Sequence, residues 1–129
     1  MGRGTPQEWW RVAEEDFAFA GEAAALGHQV WSLVLCQQAL EKTLKGLYLA
    51  RRGRTPPHTH DLLILASRTD LLHLLDTDRR RLLVSLTNYY RWRYPDTHEH
   101  LARRSTAQLV ARTLEEAGEV MRWLRQRER

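Results

Sequence analysis

The segment NYYRWRYPDTHEH, residues 88–100, gathers two arginines, four aromatic rings, one proline and two histidines into thirteen positions. Within it, Arg93 and His98 are the pair whose types and spacing suit a reaction. Pro95 lies between them, so an arginine at the end of one helix should meet a histidine in the first turn of the next, across a proline turn. A histidine there feels the positive end of the helix macrodipole, which disfavours imidazolium and leaves a ring able to accept a proton. An arginine stays charged and presents a planar fork that fits a phosphate. A base for a 2′-hydroxyl and a cation for the charge building on a phosphorane are two parts that metal-free RNA cleavage requires. Its product would carry a 2′,3′-cyclic phosphate. The same spacing admits a purely structural role, in which Arg93 pairs with Asp96 or Glu99 and His98 helps to cap the helix.

Other chemistries find less support. The histidines of HTH at 58–60 and HEH at 98–100 stand two apart, so they do not share a helix face, and neither pair has a cysteine or carboxylate at ligand spacing. No metal and no cofactor are expected. There is no glycine-rich phosphate loop, no GxSxG elbow and no Ser-His-Asp set. Cys36 is the only cysteine, which excludes an intramolecular disulfide, and its neighbours in WSLVLCQQAL mark a buried small hydrophobe.

The formal charge is +4, carried almost entirely by arginine, with Lys42 and Lys45 the only lysines. Gln38, Glu41, Lys42 and Lys45 recur at helical spacings of three and four, which describes a solvated face. Alternatively, the two lysines extend an electropositive groove toward Arg93, where RNA phosphate would bind and be released by salt. Arg91 and His100 are secondary candidates for contact with RNA or a nucleotide. Tyr89, Tyr90 and Trp92 have the faces on which unpaired bases stack, although Tyr89 also falls on an apolar stripe. Thr59 and Asp61 read as helix caps.

These residues need a scaffold, and 129 residues are enough for one domain and one core. Leucine and alanine dominate, β-branched residues are few, and glycine and proline fall in a few places, a composition that favours helices. Spacing predicts a first helix from about Pro6 to Leu26 behind a Thr5 cap, with Trp10, Ala13, Phe17, Ala20 and Ala24 on one face. A central helix over about Gln29 to Arg52 carries the stripe Leu33, Cys36, Leu40, Leu44 and Leu47, which Trp31, Leu35 and Ala39 widen. It should end at Gly53, before the loop RTPPHT. A short helix in THDLLILASRT and a further turn around Leu71 to Leu75 come next. A fourth helix, capped by Thr77 or Asp78, aligns Leu82, Leu86 and Tyr89 and stops at Pro95. The last helix should begin near Thr97, with Asp96 and Glu99 forming a capping box, and carry the stripe Val110, Leu114, Ala117, Met121 and Leu124. No stretch alternates over the length of a strand. The expected fold is all-α, an antiparallel up-and-down bundle of four to five helices. No run is long and apolar enough to span a membrane, and MGRGTPQEWW lacks the apolar core of a secretory signal, so a cytoplasmic location is expected.

Three segments in order carry a family resemblance: CQQALEKTLKGLYLARRG at 36–53, PPHTHDLLILA at 56–66, and YYRWRYP at 89–95 followed by a long amphipathic helix. Together they resemble the HEPN family of small prokaryotic helical proteins over nearly the whole chain. The resemblance implies a homodimer, often paired with a minimal nucleotidyltransferase as its antitoxin. It also implies a metal-independent ribonuclease whose signature is an arginine, four to six residues and a histidine. Arg93 with His98 fits that signature, and Arg91 with His98 fits it too. In such enzymes the two protomers bring their pairs together at the dimer interface. Where some paired toxins carry a tyrosine two residues past the histidine, this chain has His100.

Overall fold

Thr5 opens the first helix through a reciprocal pair of hydrogen bonds. Its hydroxyl accepts from the Glu8 amide at 3.1 Å, and the Glu8 carboxylate accepts from the Thr5 amide at 2.8 Å. The computed structural model describes residues 4–128, and the side chains of Trp92, Arg93 and His98 lie outside that description. Helix α1 spans Pro6–Ala25, and α2 spans Gln29–Arg52. The second ends at Gly53, whose φ of 66° is the left-handed conformation that glycine reaches without a Cβ penalty. Then come α3 (Leu62–Arg68), a 3-10 turn at Leu72–Leu74, α4 (Thr77–Thr87), a second 3-10 turn at Asn88–Arg93, α5 (Pro95–Arg104) and α6 (Ala107–Arg125). Among the described residues there is no strand, and no helix is long and apolar enough to cross a membrane.

Helix α2 is the centre of the bundle, in contact with α1, α3, α4, α5, α6 and the second 3-10 turn. Its stripe Leu33, Cys36, Leu40, Leu44 and Leu47 is fully buried, as the spacing predicts. Trp31 is not part of it and stands 49% exposed, because it lies about 200° around the helix from Leu33. Small residues bring α1 and α2 close. Ala13, Ala20 and Ala39 are buried, and the Ser32 hydroxyl donates to the Ala20 carbonyl across the seam at 2.7 Å.

Asp61 caps α3 as expected, accepting from the amides of Leu63 at 2.9 Å and Ile64 at 3.2 Å. Replacing it with alanine orphans both donors. Asp61→Ala is expected to cost about 1 kcal/mol, read as a lower urea midpoint at unchanged slope.

The second half of the chain departs from its spacing in four places. Asp76 caps α4, accepting from the Arg79 amide at 2.9 Å, in place of Thr77 or Asp78, which are already helical. Helix α4 does not run on to Pro95 but tightens into the 3-10 turn after Thr87. The expected Asp96 capping box does not form: Pro95, with φ preset for a helix, takes the first helical position, so Asp96 already lies inside the first turn. Thr97 ties the junction instead, its hydroxyl placed 2.8 Å from the Arg91 carbonyl and 2.9 Å from that of Tyr94. The single last helix expected from the spacing is two helices. Ser105 turns its hydroxyl back to the Leu101 carbonyl at 2.5 Å, and Thr106 caps α6 by accepting from the Leu109 amide at 3.1 Å. That break raises the helix count to six among the described residues.

Candidate functional site

The backbone puts Arg93 at the end of the second 3-10 turn and His98 in the fourth position of α5, on either side of the Tyr94–Pro95 junction. Both side chains lie outside the described residues. Around them, Arg91 and His100 are exposed. The Arg91 guanidinium lies 5.7 Å from the centre of the Tyr90 ring, with Nε 3.4 Å from the Tyr90 hydroxyl. Tyr89 points inward, buried, with its hydroxyl 3.0 Å from that of Ser105. It is a core residue.

Beside this junction, α4, α5 and the start of α6 frame a groove of about 500 Å³ lined by Arg80, Arg81, Asn88, Tyr89, Leu101 and Arg104, among others. No carboxylate is among its described lining residues. Arg80 is held in place by backbone, donating to the carbonyls of Leu75 at 3.1 Å and Leu72 at 2.8 Å, so it is positioned without being neutralised. An array of guanidinium groups with no acid between them suits a phosphodiester strand.

The two lysines lie elsewhere in the network than a solvated face would put them. Lys42 pairs with Asp16 of α1. Lys45 is buried, its side chain 11% exposed, and its ammonium meets Glu41 Oε2 at 2.9 Å. Glu41, with a side chain 6% exposed, is the hub of a polar cluster. Its Oε1 accepts from Gln37 Nε2 at 3.0 Å and lies 2.9 Å from His60 Nδ1. Gln37 also donates to the His60 carbonyl at 2.9 Å, and Gln38 donates to Gln37 at 2.7 Å. The His60 ring stacks on Tyr90 with centroids 4.9 Å apart, which joins the cluster to the 3-10 turn that carries Arg91 and Arg93.

Burial alone would push the Glu41 carboxyl up. Hydrogen bonds from His60, Lys45 and Gln37, together with the Lys45 charge, outweigh burial and hold it below the ordinary glutamate value. The carboxylate is therefore ionised at neutral pH, and the proton in its contact with His60 belongs to Nδ1. The imidazole is left with Nε2 as its working nitrogen, on a side chain 44% exposed. Cys36, by contrast, is pushed up to about 12 by burial and remains a neutral thiol in the core.

Sequence reasoning put Glu41 on a solvated face and weighed His60 only as part of a metal pair, so it missed the contact between them. A usable signal was present: α2 carries buried leucines, alanines and a glycine on almost every face, and a helix apolar nearly all round is central. Polar residues on such a helix are buried and must find partners.

Residues 6–127 match the family model described as HEPN domain. Among solved structures, the crystal structure of TT1696 from Thermus thermophilus is similar at 29% identity with a TM-score of 0.79, over 98% of each chain. No curated protein matches the sequence.

Proposed function

The chain belongs to the HEPN domain family, and from that premise we propose that it is a metal-independent endoribonuclease of the toxin type, paired with a nucleotidyltransferase-type antitoxin. Arg93 binds the scissile phosphate, and His98 takes the proton of the attacking 2′-hydroxyl. The observation that carries this reading is the position of the pair: it straddles the Tyr94–Pro95 junction beside a groove lined by Arg80, Arg81 and Arg104. Strand phosphates in that groove would be led along α5 toward the junction, and the exposed Arg91 and His100 are further candidates for contact with the strand. The active form is a homodimer, since a shared site needs the Arg93 and His98 pairs of two protomers.

The test is incubation of the purified protein, sized by light scattering, with mixed tRNA and mRNA in EDTA, beside His98→Ala. Cyclic-phosphate ends from the wild-type dimer, and none from the variant, are the expected result. A folded, dimeric wild type that leaves RNA intact would overturn the reading in favour of a non-catalytic module that binds a nucleotide or the nucleotidyltransferase.

A further inference from the structure

The Glu41–His60 pair has the construction of a catalytic dyad: a buried carboxylate on Nδ1, which fixes the tautomer and orientation of the ring, and Nε2 across the ring from it, on a side chain that is 44% exposed. Glu41 is itself held by Lys45 and Gln37, and Gln37 returns to the His60 carbonyl, so both the side chain and its backbone are anchored to α2. Tyr90 packs on the ring face and ties it to the 3-10 turn. Among the described residues, the ring meets Glu41 of α2, which Lys45 pairs, and Tyr90 of the turn, against which Arg91 lies.

Building on the ribonuclease reading above, we propose that His60 is a second proton-transfer residue of that reaction and protonates the departing 5′-oxygen. The 2′-oxygen bonds to phosphorus, and its proton passes to His98. The phosphorus–O5′ bond breaks, and O5′ takes the proton from His60 Nε2. The Glu41 carboxylate balances the ring's charge before the proton leaves. Proton exchange with water then resets both histidines. Glu41 and Lys45 touch no reacting atom and act as positioning residues.

A leaving group that needs no proton separates this role from a structural one. The variant is His60→Asn, whose side-chain amide can donate to Glu41 in place of Nδ1 and so keeps the buried carboxylate satisfied. Wild type and variant are compared on an RNA with one ordinary linkage and on the same RNA with sulfur in place of the bridging 5′-oxygen. On the ordinary linkage His60→Asn is expected to be slower by about 10²–10⁴-fold. On the sulfur linkage, whose thiolate departs unprotonated, it should cut within a few fold of wild type, and that recovery also shows that the variant is folded. Equal losses on both linkages, or no loss on either, would overturn the role. If the wild type cuts neither RNA, the ribonuclease reading fails first and takes this one with it.

Discussion

Glu41→Ala is expected to destabilise the protein by about 3–5 kcal/mol, a fall in Tm on the order of 10–20 °C. The loss comes from what the substitution leaves behind. The Lys45 ammonium is surrendered to an interior site without its counter-charge, Gln37 loses one acceptor, and His60 Nδ1 loses its partner. An uncompensated buried ion costs far more than the net value of the pair it came from. The double variant Glu41→Met/Lys45→Met, which removes both charges and fills the volume, should therefore recover much of the loss, a non-additivity that a double-mutant cycle in urea measures directly. A single variant within about 1 kcal/mol of wild type would show that Lys45 escapes to water and that the cluster is not closed. The same carboxylate sets an acid limit. Because its folded-state value lies below the ordinary 4.5, its contribution is complete above that value and is lost as pH falls through the folded one. Glu41→Gln should flatten that part of the stability profile between neutral pH and pH 3, by thermal unfolding followed with circular dichroism.

That cluster also marks where reading the sequence stops working. The elements were legible because their causes are local: a Thr-Pro start for α1, a glycine after α2, and apolar residues repeating at three and four. The family was legible because three segments fall in register over nearly the whole chain. Breaks in the second half were less so. Ser105 and Thr106 read equally well as helical residues until Tyr89, sixteen positions earlier, supplies a partner for the Ser105 hydroxyl. The Glu41–Lys45 spacing likewise describes an exposed i,i+4 pair on any surface helix. What buries it is the loop at residues 56–61, which folds back so that His60 closes over Glu41, a contact nineteen positions long. Arg93 and His98 were legible as a motif, and the backbone puts them on the two sides of one proline junction.

The packing that holds α2 in place yields the second large effect. Gly46→Ala is expected to destabilise the protein by about 2–4 kcal/mol, although alanine is the better helix former by roughly 1 kcal/mol. A methyl group at Gly46 would stand 2.8 Å from Trp10 Cδ1 and 3.0 Å from Cε2, and closer still to Nε1. Trp10 is tethered where it sits. It is 3% exposed, its indole N–H donates to the Thr43 carbonyl at 3.2 Å, and the Arg125 guanidinium covers its ring at 4.0 Å. Making room either breaks that hydrogen bond, orphaning a buried donor, or pushes α1 away from α2 and opens the seam that Ala13, Ala20 and Ala39 close. Equilibrium urea unfolding of Gly46→Ala, Trp10→Leu and the pair decides the matter. If the glycine exists to seat the indole, the double variant will lose clearly less than the sum of the two singles. A Gly46→Ala protein as stable as wild type would mean that the helices slide apart at little cost, and the close approach of α1 and α2 would then not be what fixes Lys45 and Glu41 on the neighbouring turn.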